Sequence, residues 1–287
     1  YKGKKYLNVL DFIGNYEKAG KAPLLLSGEQ TFNKNESCEY QDLEYPDDCI
    51  VDFDMRLIDL FKEMDKKKLT LKMQIRQEYY RVKELLDGKR PSRMDLFTYM
   101  DDEIYRICVS GSHAKENPFQ HYLDFLYELG ELSEDEQKLY AGIGREFIQT
   151  IETTEMQKVY KMPILYSFYN HGNIRLAVTD EEVLESWKEF FDTGTNWKDF
   201  PNVNTYEDYK KVTDKQHLSK AKRMPIRFLK ASGKGFFVEK DGYALALRDE
   251  IGDVVGNMAF GEQMGDVLGY RSLEYYRRRY EKIEKKR

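Results

Sequence analysis

The chain has 287 residues, 41% of them apolar, enough for two domains each with its own core. Its 46 lysines and arginines against 51 aspartates and glutamates leave a net charge of −5, which argues against a protein that coats nucleic acid with its whole surface but allows a local basic face. No apolar run reaches the length of about 18 residues that a membrane helix needs, no signal-peptide pattern is present, and Cys38, Cys49 and Cys108 form no Cys-x-x-Cys pair; this argues against a membrane span, a disulfide framework and a zinc ribbon, and a reducing cytoplasm is expected.

The chain opens on an apolar stretch, residues 6–13, that reads as a strand without an evident sheet, so a larger parent with its sheet upstream is expected. A polar stretch follows, from Ser27 to Asp48. From Asp52 the pattern turns helical, with Phe53, Leu57, Leu60, Phe61 and Met64 on one stripe. Leu71, Ile75, Tyr79, Val82 and Leu86 form a second stripe, stopped by Asp87-Gly88. Ser92 with Asp95 predicts a capped helix to about Cys108. Asn117-Pro118 predicts a helix start with Tyr122, Leu123, Leu126 and Leu129 buried and Gly130 as its stop. Ser133-x-x-Glu136 is a capping box for a helix to about Glu152.

After Glu155 the texture changes. Pro163 opens a short helix that Asn170-His171-Gly172 ends, and Ile174, Leu176 and Val178 alternate as in a strand. Thr179-Asp180-Glu181-Glu182 then caps a helix carrying Val183, Leu184, Trp187, Phe190 and Phe191. Arg223-Met224-Pro225-Ile226 echoes Lys161-Met162-Pro163-Ile164. A glycine turn, Gly233 and Gly235, leads to Phe236-Phe237-Val238, and Asp241-Gly242 joins this to Tyr243–Leu247 as a hairpin. A last helix runs from Leu273 into the basic tail ending at Arg287.

Motifs for catalysis are sparse. No GxxxxGK[ST] loop and no GxGxxG after a strand is present. Asp180-Glu181-Glu182 has the look of a magnesium-holding DExx box, but acids after a threonine cap fit a helix start better. His113-Ala114-Lys115 is half of a phospholipase-D-type motif whose required acid is replaced by Gln120. Asp52 and Asp54 lack the ExK partner of a nuclease cluster. His121 and Asp124 form a histidine–acid pair at ligand spacing, which is a surface hydrogen bond more often than a metal site.

Basic residues are the remaining signal. Lys215, Lys220, Lys222, Arg223, Arg227, Lys230 and Lys234 cluster before the hairpin, and a helix followed by an Asp-Gly hairpin is the recipe of a winged helix. Such cations neutralise phosphates in sequence-independent binding; they also fit a solvated helix face. Arg277 and Arg278 join the candidate nucleic-acid-binding residues, although glutamates alternate with the cations there, as on an exposed terminal helix.

Three stretches resemble a known family. Leu7-Asn8-Val9-Leu10-Asp11-Phe12-Ile13-Gly14-Asn15-Tyr16, then Tyr45-Pro46-Asp47-Asp48-Cys49-Ile50-Val51-Asp52-Phe53-Asp54 with Arg56-Leu57-Ile58-Asp59-Leu60-Phe61, and Met162-Pro163-Ile164-Leu165 with Tyr169-Asn170-His171-Gly172-Asn173-Ile174 are similar to the region behind the motor in bacterial superfamily 2 DEAD/DEAH-box helicases related to type III restriction subunits. The resemblance implies an ATP-driven motor whose Walker A, DExx and motif VI elements lie upstream. ATP and magnesium are then cofactors of the parent and none belongs to this region.

The expected fold is mainly α (α+β). Residues 1–45 would be a remnant of the second RecA-like lobe, 46–155 a helical domain, and 156–287 a winged-helix-like domain. The expected partners are DNA and the upstream RecA-like lobes, with no membrane and no catalytic residue. The alternative is a protein-interaction module docking a nuclease or defence partner through Tyr- and Phe-rich helices at 70–80 and 187–200.

Overall fold

In the computed structural model, which describes residues 70–284, side-chain caps decide where six of the helices begin. The expected strand at 6–13, the lobe remnant at 1–45, the helix after Asp52 and the tail at 285–287 lie outside the described residues. Helix α1 (Leu71–Leu85) buries Ile75, Tyr79 and Val82, and Asp87 and Gly88 turn the chain away in left-handed conformations. Helix α2 (Arg93–Tyr99) starts with the Ser92–Asp95 capping box. It does not continue to Cys108: Asp101 accepts from the Glu103 and Ile104 N–H groups and caps a separate α3 (Asp102–Cys108).

Helix α4 (Tyr122–Leu129) begins later than Pro118, because the Asn117 Oδ1 accepts from the Phe119 N–H at 3.0 Å and holds that stretch as a turn. Gly130, at φ 72°, ends it. The Ser133–Glu136 box starts α5 (Glu134–Ala141), but Gly142 is extended and breaks the expected long helix, which resumes as α6 (Ile143–Thr153).

Helix α7 (Lys161–Tyr169) has Pro163 in its first turn, where no N–H is needed. Asn170, His171 and Gly172, all at positive φ, deliver the chain to β1 (Ala177–Val178). Thr179 and Glu182 form a capping box for α8 (Asp180–Asp192), so these acids start a helix. Thr205 and Thr213 cap α9 (Tyr206–Lys210) and α10 (Asp214–Ala221). The wider π-type turn Lys222–Ile226 contains Pro225, which cannot donate to an α-helical ladder. Then come α11 (Arg227–Ser232), β2 (Phe237–Val238), β3 (Leu245–Leu247), α12 (Gly252–Val255) and α13 (Met258–Glu284), which begins well before the expected Leu273.

The described fold is therefore mainly helical with one small sheet. Its order is β1-β3-β2, both pairs antiparallel, with Ala177 opposite Ala246 and Phe237 opposite Leu247. The two Met-Pro-Ile segments hold matching places: each leads through a left-handed turn to a two-residue strand, one on either side of β3.

The chain divides into two units, Tyr1–Gln74 and Ile75–Arg287, and the expected boundary near residue 155 falls inside the second. One core runs there from Leu123 to Tyr275 and takes in Trp187, Phe191 and Phe260. Helix α13, 27 residues and roughly 40 Å long, packs against α2, α5, α6 and α7. Its approach to α7 needs Gly265: a Cβ there would lie 2.6 Å from the Tyr169 Oη.

A buried ionic network joins these helices. Arg93, 0% exposed, donates to the Glu152 Oε1 at 2.6 and 2.9 Å, to Asp266 at 2.8 Å and to the Gln263 Oε1 at 2.7 Å. Asp266 also accepts from the Arg93 and Met94 N–H groups at the start of α2. Gln263 donates to Glu136, which pairs with Arg90. Burial opposes the Glu136 charge, but the Arg90 hydrogen bonds and the Ser133 N–H overcome it and hold its carboxyl below the usual range. Removing one member leaves the others charged and unpaired in a dry interior. Arg93→Met is therefore expected to cost about 3–5 kcal/mol in urea unfolding at unchanged m; a loss under about 1 kcal/mol would show that the network contributes little.

Candidate nucleic-acid interface

The basic cluster before the hairpin is built on three consecutive elements, α10, the π-type turn and α11. Their apolar residues, Ala221, Ile226 and Leu229, face the core, which leaves Lys222, Arg223 and Arg227 exposed on the outside. The cations differ in what they touch. Lys222 pairs with Asp180 at 2.6 Å and Lys230 pairs with Glu239. Lys220 lies over the Tyr160 ring, 5.2 Å from its centroid. Arg223, Arg227 and Lys234 form no ion pair among the described residues. Arg227 stands 5.1 Å from the centroid of Phe228, which is itself exposed. The hairpin tip adds Lys240 and an exposed Tyr243, whose ring centroid lies 5.6 Å from the ammonium.

Arg277 and Arg278 are neutralised elsewhere. Arg277 pairs with Asp102 at 2.8 Å and Glu281 at 3.3 Å and covers Phe97 and Tyr105, while Arg278 pairs with Glu274. The neighbouring Arg279 reaches the fully buried carboxylate of Asp199. This stretch of α13 holds its arginines in ion pairs, in keeping with the glutamates that alternate with them in the sequence, and Arg277 and Arg279 pack against the rest of the fold.

A cavity of about 440 Å³ opens beside the cluster, between the end of α6, the start of α7 and the π–α11 segment. Thr154, Lys158, Lys161, Phe228, Ser232 and Lys234 are among its walls. Lys161 is 9% exposed, and its Nζ donates to the Thr154 Oγ1 at 2.9 Å and the Ser232 Oγ at 3.4 Å, with no carboxylate in ion-pair range among the described residues. Burial holds its ammonium pKa below the usual value; Arg271 adds to this and Glu155 opposes it. Lys158, also held low by burial and by Arg279, reaches Asp199 at 3.5 Å. Arg271 donates to the carbonyls of Glu152 and Thr154, fixing the end of α6 that forms one wall.

A second cavity, about 490 Å³, lies between α7, α8 and α13. On its walls Arg175 pairs with Glu182 at 3.1 Å, and the His171 ring lies 3.7 Å from Glu189. Among the described residues no group of three or more histidine, cysteine or acidic side chains is placed to hold a metal. His121 hydrogen-bonds Gln149 at 2.6 Å and lies 3.8 Å from Asp124. Cys108 is buried, and burial pushes its thiol up to about 12, so it is unreactive. No helix among the described residues is long and apolar enough to cross a membrane.

One further expectation changes. The aromatic helices expected to dock a protein partner are largely internal: Tyr79, Trp187 and Phe191 are 0% exposed and Phe190 and Phe200 are buried, leaving Tyr80 as the large exposed aromatic of that set. Lys161, in contrast, shows in the sequence only as the counterpart of Arg223 in the repeated Met-Pro-Ile phrase. A cation in the first turn of a helix opposes the helix dipole, and that mismatch was the available signal.

Comparison of the chain with family models, curated proteins and solved structures finds no match.

Behind the cluster, His217 is buried against Phe200 and Tyr209, with ring centroids 4.9 and 5.5 Å away. Burial lowers its pKa, Lys188 lowers it further, and Asp214 and Asp192 oppose them. The unfolded chain, titrating near about 6.5, therefore takes up the proton first. The stability that this histidine contributes is complete above that pH and is lost as the pH falls toward its folded pKa. In thermal melts between about pH 7.5 and pH 5, the advantage of the wild type over His217→Phe is expected to shrink with acid. A pH-independent difference would contradict this.

Proposed function

We propose that this region binds nucleic acid without catalysing a reaction, as a C-terminal accessory part of an ATP-dependent DNA helicase. The observation that carries the reading is the set of exposed cations without acidic partners, Arg223 and Arg227 on the helical segment before the hairpin and Lys234 in the turn that joins the two. The element order from α7 onward, helix–strand–helix–helices–hairpin with sheet order β1-β3-β2, supports a winged-helix-like arrangement. In that arrangement the helix before the hairpin enters a groove and the hairpin tip, here Lys240 and Tyr243, lies along the backbone.

The helicase assignment rests on the phrases at 7–16, 45–61 and 162–174, the first two outside the described residues. In this reading ATP and magnesium belong to the upstream RecA-like lobes, which are its expected partners together with DNA. A nuclease or defence partner stays the second candidate only for an exposed surface other than the buried aromatic helices.

The chemistry predicts salt-dependent, weakly sequence-selective binding. Three phosphates neutralised on a duplex give a slope of log K against log salt of about −2.7. In fluorescence anisotropy with a short duplex at low salt, Arg223→Glu with Arg227→Glu should abolish most binding. Single Arg→Ala changes should each reduce the slope by about 0.9. Reversal at Arg278, already paired with Glu274, should have little effect. Undiminished binding by the double reversal, or no wild-type binding at low salt, would overturn the proposal.

A further inference from the structure

The geometry points to the cavity at Lys161 as a pocket for one nucleoside monophosphate, its phosphate on the lysine ammonium and its base against Phe228. The claim that this nucleotide is the phosphorylated end of a nucleic-acid strand rests on the function proposed above; the pocket chemistry does not.

Three observations converge. A charged side chain is nine-tenths buried and hydrogen-bonded only to two neutral hydroxyls, Thr154 and Ser232. An ammonium has three donors, so one is left for a ligand. Lys161 is also the first residue of a nine-residue helix, so its charge adds to the positive end of the helix dipole. A cation buried there is an electrostatic conflict, and an oxyanion accepting from the ammonium resolves it. Lys234 on the same wall adds charge of the same sign without an acidic partner, while Lys158 reaches Asp199 and the exposed Glu155 lies on the lining.

The rest of the lining selects among anions. Phe228 is 42% exposed and Met224 40%, and both line the cavity. Exposed apolar side chains beside a phosphate-sized positive site match a flat base rather than inorganic phosphate. The volume of about 440 Å³ lies within the range of small-ligand pockets. Met224, Phe228 and Lys234, exposed on its lining, are interleaved with Arg223 and Arg227 along the chain, which brings a strand held by those arginines to the cavity.

The test uses the full chain with four probes: inorganic phosphate, thymidine 5′-monophosphate, and a short oligothymidylate with or without a 5′-phosphate. The wild type is expected to prefer the mononucleotide to phosphate and the phosphorylated oligonucleotide to its hydroxyl counterpart, by roughly tenfold. Lys161→Met should remove the preference for the terminal phosphate, and Phe228→Ala should weaken both nucleotide ligands about tenfold. Arg223→Glu should weaken both oligonucleotides alike and leave the mononucleotide unchanged. If Lys161→Met fails to fold, Ser232→Ala and Phe228→Ala, at exposed positions, carry the test.

Equal affinity for phosphate and mononucleotide overturns the inference, as does a folded Lys161→Met protein that keeps the wild-type preference. Lys161-dependent mononucleotide binding without any oligonucleotide binding upholds the pocket and overturns the nucleic-acid role of the basic face. Oligonucleotide binding indifferent to the terminal phosphate, with no mononucleotide binding, upholds that face and overturns the pocket.

Discussion

The arrangement of the described helices depends on one buried cation. Arg93 sits at the start of α2 and takes acceptors from α6 (Glu152) and α13 (Gln263 and Asp266), while Gln263 passes the network on to Glu136 at the start of α5. A hydrophobic core alone would let these helices slide along one another at small cost, because apolar contact has no direction. The guanidinium does have direction. Its planar fork accepts one set of partners, and a register shift in any of the helices would strand a charge in the interior.

That register extends to the cavity. Glu152 lies in the last turn of α6, and Arg271, further along α13, ties the carbonyls of Glu152 and Thr154. The chain leaving α6 is thereby held against α13 on its way into α7, whose first residue is Lys161. The opposite wall comes from the π–α11 segment, which passes α7 and feeds the hairpin. Thr154 and Ser232, from opposite walls, meet at the one ammonium. The ionic core is therefore the frame on which the cationic wall of the site is set.

Features of the fold written in a few consecutive residues are legible in the sequence. Ser92 with Asp95, Ser133 with Glu136 and Thr179 with Glu182 all cap helices, because an N-cap hydroxyl and an acid three residues on satisfy each other's orphan N–H groups whatever surrounds them. Thr213 with Gln216 follows the same rule. The hairpin at Asp241-Gly242 is equally local, with Gly242 at φ 82°. The interruptions at Asp101 and Gly142 are less so, since periodicity runs through both. The Asp101 N–H goes to Glu78, on another helix. The network is not legible at all: Arg93 finds its acceptors 59, 170 and 173 positions away, and nothing near Arg93 marks it as internal. The candidate site divides the same way. The run of cations from Lys215 to Lys234 is visible by composition. Which of them are left without acids, and that Lys161 stands beside them, depends on contacts across the fold.

The central claim is that the segment from Lys220 to Tyr243 is the surface that meets nucleic acid. Hydrogen–deuterium exchange of the full chain, with and without a short duplex at low salt, reads this directly. The account predicts slowed exchange in the amides of 220–243 and at the start of α7, with 273–281 unchanged because its arginines are already paired. Slowed exchange confined to α1–α5, or no change at saturating duplex, would contradict it.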